Sequence, residues 1–98
     1  MKYDFHPEAL AEYLEAALWY GSREPPVALQ FVTAVEQAID RVIEAPTRWR
    51  VVDEDIRRCL TRIFPYAILY TIEEEFILII AVMHCSRKPG YWKSRIKR

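Results

Sequence analysis

This sequence of 98 residues has room for one domain and one principal core. Its 52% hydrophobic and 29% charged residues exclude a disordered chain, and its longest unbroken apolar run, Phe76 to Met83, is too short to span a bilayer. The net charge of zero conceals a polarity: residues 1–54 carry five Lys/Arg against ten Asp/Glu, residues 55–98 nine against four.

Tyr3 to Phe5 reads as a short strand. Pro7 suits the first position of a helix, where its missing N–H costs nothing, and Glu8 favours the positive helix end. Leu10, Leu14, Ala17 and Leu18 then recur at helical spacing and predict one buried face. Gly21 and Ser22 end this helix and Pro25-Pro26 open the next, whose stripe runs through Ala28, Phe31, Val32, Val35, Ala38, Ile39 and Val42 until Pro46 stops it. So short a break predicts an antiparallel helical hairpin.

Thr47 to Asp55 reads as a loop. Ile56 to Ile63 is a strand with arginines on both parities, ended by Phe64-Pro65. Tyr66 to Ile72 alternates with period two, Glu73-Glu74-Glu75 is a polar hairpin connection, and the run from Phe76 is apolar on both parities, as an interior strand requires. Pro89-Gly90 makes a turn before a short irregular or helical end over Tyr91 to Arg98. The order β-α-α-β-β-β predicts a single α+β domain over residues 1–98: a mainly antiparallel sheet with the helical hairpin packed on one face and the other face open. Leu14, Phe31, Val35, Ile39, Ile68 and Val82 are the expected core.

From His84 onward there are Arg87, Lys88, Lys93, Arg95, Lys97 and Arg98 and no acid. Such a segment suits phosphate or an acidic partner, or else is a solvated tail. The acidic N-terminus has no signal-peptide core, so a cytoplasmic protein is expected, without membrane attachment. Cys59 and Cys85 read as reduced small hydrophobes, a bridge between them being the alternative. Their number and spacing suggest no metal site, and nothing calls for a cofactor.

Several stretches carry a resemblance when taken in order. They are Phe5-x-Pro7-x-Ala9-x-x-Glu12, Ala28-x-x-Phe31-x-x-x-Val35-Glu36-x-Ala38-Ile39, Arg57-Arg58, Phe64-Pro65-Tyr66-x-Ile68-x-Tyr70, and Ile77-x-Ile79-x-Ala81-Val82-x-His84-x-x-Arg87-x-Pro89-x-Tyr91-Trp92. Over nearly its whole length the chain resembles the RelE/ParE superfamily of bacterial toxins from type II toxin–antitoxin, or plasmid-stabilisation, modules.

The resemblance implies a growth inhibitor neutralised by a small cognate antitoxin in a hetero-oligomer. RelE-type members cut mRNA on the ribosome without a metal, by attack of a ribose 2′-hydroxyl on the adjacent phosphate, which needs a base, an acid and cations. ParE-type members are associated with DNA gyrase. On the nuclease reading His84, Arg87 and Tyr91 would be the catalytic set, with Arg57, Arg58, Arg62 and Trp92 holding phosphate or target. No lysine lies between Lys2 and Lys88, and the helical hairpin is long; both features favour the ParE-like branch. A degenerate, non-toxic antitoxin-binding module is the third reading.

Each candidate also has a structural explanation. His84 at a strand end can be a hydrogen-bonded framework residue, and the arginines of Ile56 to Ile63 can guard a sheet edge. Tyr91 and Trp92 can pack over the sheet as a lid. Arg58 and Arg62 share parity, Arg57 the opposite one.

Overall fold

A computed structural model describes residues 1–96; Lys97 and Arg98, counted above in the basic tail, lie outside the described residues. The elements run β1 (Lys2–Phe5), α1 (Pro7–Arg23), α2 (Pro25–Glu44), β2 (Arg50–Asp53), β3 (Ile56–Leu60), β4 (Tyr66–Ile72), β5 (Phe76–His84) and a 3-10 turn at Lys93–Arg95. The sheet order is β1-β5-β4-β3-β2, with β1 parallel to β5 and the other pairs antiparallel. This is the α+β arrangement expected, with β5 inside the sheet and one strand more than the sequence suggested.

That extra strand, β2, corrects the reading of Thr47 to Asp55 as a loop. Its outer edge is unpaired, and only three of its four residues pair with β3, interrupted by a register shift between Val51 and Asp53. So short and irregular an edge strand leaves no alternating pattern to recognise.

Both helices begin on proline as expected, and His6 caps α1 by accepting the Glu8 N–H on Nδ1 (3.1 Å). The face that α1 buries is not the leucine face. Leu10, Leu14 and Leu18 are exposed, Leu18 by 75%, whereas Ala9 and Ala16 are buried and Tyr13 and Tyr20 pack against the core. The alanines let the helix backbone approach the sheet, and the tyrosine rings fill the flanks, with Tyr13 and Tyr20 at 6.1 and 5.1 Å from the Phe31 ring. Leu14 therefore leaves the expected core; Phe31, Val35, Ile39, Ile68 and Val82 share one cluster as anticipated.

The second sheet face is not open either. Trp92, 4% exposed, lies on Ile56, Ala67, Leu69, Ile80 and Ala81, with Tyr91, Ile96 and Met83 around it. The tail after β5 is thus a lid, turned back at Gly90, whose φ of 80° lies in the left-handed region.

A β-bulge in β5 sets up the functional end of the molecule. Tyr70 pairs with Ile79 and Leu69 with Ala81, so Ile80 has no opposite residue. The helix-facing positions accordingly change parity, from Ile77 and Ile79 before the bulge to Val82 after it. On the other side of β5, β1 ends where the His6 N–H donates to the Ile79 carbonyl (2.8 Å). Beyond that point this edge of β5 has no strand beside it.

Candidate functional site

The vacated edge of β5 is filled by side chains. Glu12, on the second turn of α1, accepts the Val82 N–H on Oε1 (3.1 Å), and Arg95 donates through Nη1 to the Ile80 carbonyl (2.9 Å). The two side chains pair with each other, Nη1 to Oε1 at 2.7 Å and Nη2 to Oε2 at 3.0 Å. The Tyr91 hydroxyl donates to Oε2 as well. Glu12 thus accepts four hydrogen bonds and has no free lone-pair direction. With the Arg95 side chain 8% exposed and that of Glu12 17%, this bidentate pair is shielded from solvent and differs in kind from a surface ion pair.

The pair acts on the pKa values of its neighbours. Burial pushes the Tyr91 phenol well above the ordinary tyrosine range, and the adjacent Glu12 carboxylate raises it further. The hydrogen bonds that Arg95 donates to Glu12 likewise raise its own pKa. Tyr91 is therefore a neutral phenol whose proton is already committed to Glu12, and a poor general base.

Beside this cluster opens a cleft of about 330 Å³ lined by Glu15, Trp19, Tyr20 and Tyr66 as well as His84, Arg87 and Tyr91. His84 stands at the end of β5 with its ring 5.1 Å from that of Tyr66, and its Nδ1 accepts the Ser86 N–H (3.1 Å). Arg87 lies with its guanidinium carbon 3.9 Å from the Tyr91 ring centroid, a cation–π stack.

Arg87 also lines a second groove of about 450 Å³ on the lid face, together with Arg58, Leu69, Met83, Trp92 and Lys93. Lys93 is paired there with Asp53 at 3.4 Å. Among the described residues neither Arg58 nor Arg87 makes an ion pair. Two guanidiniums lining a groove with an apolar floor, neither ion-paired among the described residues, can hold an anionic group.

The fold thus brings His84, Arg87 and Tyr91 to one cleft, and Arg58, Arg87 and Trp92 to the adjoining groove, with Arg87 shared. Arg57 and Arg62 stay apart. Arg57 Nη1 donates to the Thr47 and Trp49 carbonyls (2.9 and 2.7 Å), tying the α2–β2 connection to β3, and Arg62 is exposed in the β3–β4 connection. The opposite parities of Arg57 and Arg58 hold. Cys59 is buried and Cys85 exposed, both free thiols, and burial raises the pKa of Cys59. Among the described residues no three His, Cys, Asp or Glu side chains converge to hold a metal ion, and no helix is long and apolar enough to cross a membrane.

Glu12 and Arg95 are the site residues that the sequence did not disclose. They lie 83 positions apart, and opposite charge is the only signal they share.

The family model of the ParE toxin of type II toxin–antitoxin systems (parDE) matches residues 3–89. The chain belongs to the ParE toxin family. It is accordingly the toxin component of a type II toxin–antitoxin system, and the ParE branch expected from the missing lysines is the one found. A solved chain of the chromosomal ParDE TA system from P. aeruginosa has the same fold, with a TM-score of 0.75 over 86% of this chain and 95% of that one at 14% identity. A search of curated proteins gave no match. The ParE match includes Glu12, Arg58, His84 and Arg87 and stops short of Tyr91, Trp92 and Arg95.

Proposed function

We propose that this toxin arrests growth by acting on DNA gyrase in the cytoplasm, and that a cognate antitoxin restrains it in a hetero-oligomer. Membership of the ParE family over residues 3–89 carries the reading. The side-chain chemistry supports it. Cleavage by a ribose 2′-hydroxyl needs a free base and a free acid. Here the Tyr91 proton is held by Glu12, and the His84 Nδ1 is engaged by Ser86. Arg87, without an ion-pair partner among the described residues and shared by both clefts, is the residue assigned to target contact, with Arg58 lining the same groove.

The ribosome-dependent nuclease is the second reading, favoured by the same two guanidiniums, which suit a phosphodiester. Purified protein added to a gyrase supercoiling reaction and to a translation reaction separates the two. Loss of supercoiling with intact mRNA is expected. Cleaved mRNA with normal supercoiling would establish the nuclease. Inactivity in both, with harmless expression in cells lacking antitoxin, would leave the non-toxic antitoxin-binding module.

A further inference from the structure

We infer that Glu12 and Arg95 are positioning residues: clamped on the vacated edge of β5, they hold the Tyr91 ring as the platform on which Arg87 is presented. The inference rests on the reading of Arg87 as the target-contacting residue and extends it to groups that do not themselves meet the target.

The chain of contacts is short and continuous. Arg87 is exposed, and a side chain of its length has no fixed direction in water, because about 2 kcal/mol of rotamer entropy opposes any one arrangement. What restrains it is the face of Tyr91, 3.9 Å from its guanidinium carbon. Tyr91 lies in the loop between β5 and the 3-10 turn, so no strand or helix fixes its ring. Its hydroxyl donates to Glu12 Oε2, and the Arg95 guanidinium carbon lies 5.0 Å from its ring centroid.

Glu12 cannot turn away, because Arg95 grips it at both oxygens while the Val82 N–H is donated to Oε1. Arg95 in turn is anchored to the backbone at the Ile80 carbonyl and is approached by Glu8 at 3.5 Å. The end of β1 at His6 is what leaves these backbone groups to side chains, just where the bulge at Ile80 shifts the parity of β5. The clamp thus joins α1, β5 and the tail at one point, and its outward end is the Arg87 stack.

A group that only stabilised the fold would lower potency in proportion to unfolding and would act independently of Arg87. A positioning group acts through Arg87. The test is therefore a double-mutant cycle on growth inhibition without antitoxin, by graded induction, with the level of folded protein measured for each variant. Tyr91→Leu removes the platform, and Tyr91→Phe keeps the ring but frees it from Glu12; both avoid exposing a buried charge. Tyr91→Leu should cost about two- to fivefold in potency, the scale of an exposed cation–π contact, with Tyr91→Phe between it and the parent. Neither should cost anything further once Arg87 is alanine.

NMR relaxation of the Arg87 Nε–Hε group provides a readout that does not depend on toxicity. It should show an ordered guanidinium in the parent and a mobile one in Tyr91→Leu and in Glu12→Gln. Equal order in all three would overturn the positioning role while leaving the toxin reading standing, as would equal losses from Tyr91→Leu with and without Arg87. A harmless parent chain, or full potency in Arg87→Ala, would overturn both.

Discussion

The two faces of the sheet are covered in different ways. On one face the α1–α2 hairpin supplies Phe31, Val35, Ala38, Ile39 and Val42 to Ile68, Tyr70, Ile77 and Val82, an apolar contact with both sides built from regular elements. On the other a short tail supplies mainly Trp92 to five smaller or aliphatic residues, and charged groups fasten it, Arg95 to Glu12 and Lys93 to Asp53. The hairpin face cannot open without unfolding the domain. Among the described residues the tail can leave by releasing three ion pairs, the hydrogen bonds of Tyr91 and Arg95 to Glu12 and the Ile80 carbonyl, and one indole. That asymmetry makes the first face the source of stability and the second, which carries Arg87 at its edge, the part able to respond to a partner.

The largest effect should come from the hairpin face. Phe31→Ala removes a fully buried ring that touches Tyr20, Phe64 and Tyr66, and urea denaturation should show a loss of about 3–5 kcal/mol. A loss below that of a surface substitution would mean that the hairpin does not carry the fold.

Glu12→Gln comes next. It strips the shielded Arg95 of its counter-charge, a change that costs about 3–5 kcal/mol where the structure cannot yield. Here the tail can detach, so the loss should stop at the free energy of docking it, about 1–3 kcal/mol. Hydrogen exchange should quicken at Trp92–Ile96 and not in α2. Faster exchange in both would join the two faces into one cooperative unit.

Alkali should act more gently and on both faces. Burial pushes Tyr13 and Tyr70 up to about 12, and Tyr91 is raised by burial and by Glu12. Below about pH 10 these phenols are neutral whether folded or unfolded. Above it the unfolded chain releases protons that the folded chain retains, so stability must fall as pH rises from about 10 to 12 and beyond. Thermal midpoints across that range should fall less steeply for Tyr91→Phe than for the parent, and identical slopes would contradict a neutral, buried Tyr91.

The smallest effect should come from the outer side of α1. Leu18→Gln should change stability by no more than about 0.5 kcal/mol, because that side chain is 75% exposed. A large loss would restore the leucine face as the buried one.

These contrasts also explain what the sequence made legible. Proline positions, the period-two pattern of β4 and the apolar run of β5 are local signals, and they specified the hairpin, the meander and the interior strand. Hydrophobic periodicity points to the wrong face of α1 because leucine dominates any such pattern, whereas close packing on this sheet selects Ala9 and Ala16 with tyrosines at their flanks. The lid is only partly legible: Tyr91 and Trp92 suggest one, but nothing in the tail sequence signals which sheet face those two rings return to. His84 and Arg87 stand out because the first ends, and the second closely follows, an otherwise apolar strand. Glu12 belongs to the opening motif of the resemblance, but no role can be read for it from sequence, since its partners come from β5 and the tail.

The central claim is that stability and toxicity reside in different parts of this domain. Comparing Ile39→Ala with Arg87→Ala, each measured for thermal midpoint and for growth inhibition per folded molecule without antitoxin, tests it most directly. Ile39→Ala should lower the midpoint and keep its potency per folded molecule, while Arg87→Ala should keep the midpoint and lose potency. An Arg87→Ala protein that folds normally and inhibits growth as strongly as the parent would contradict the account.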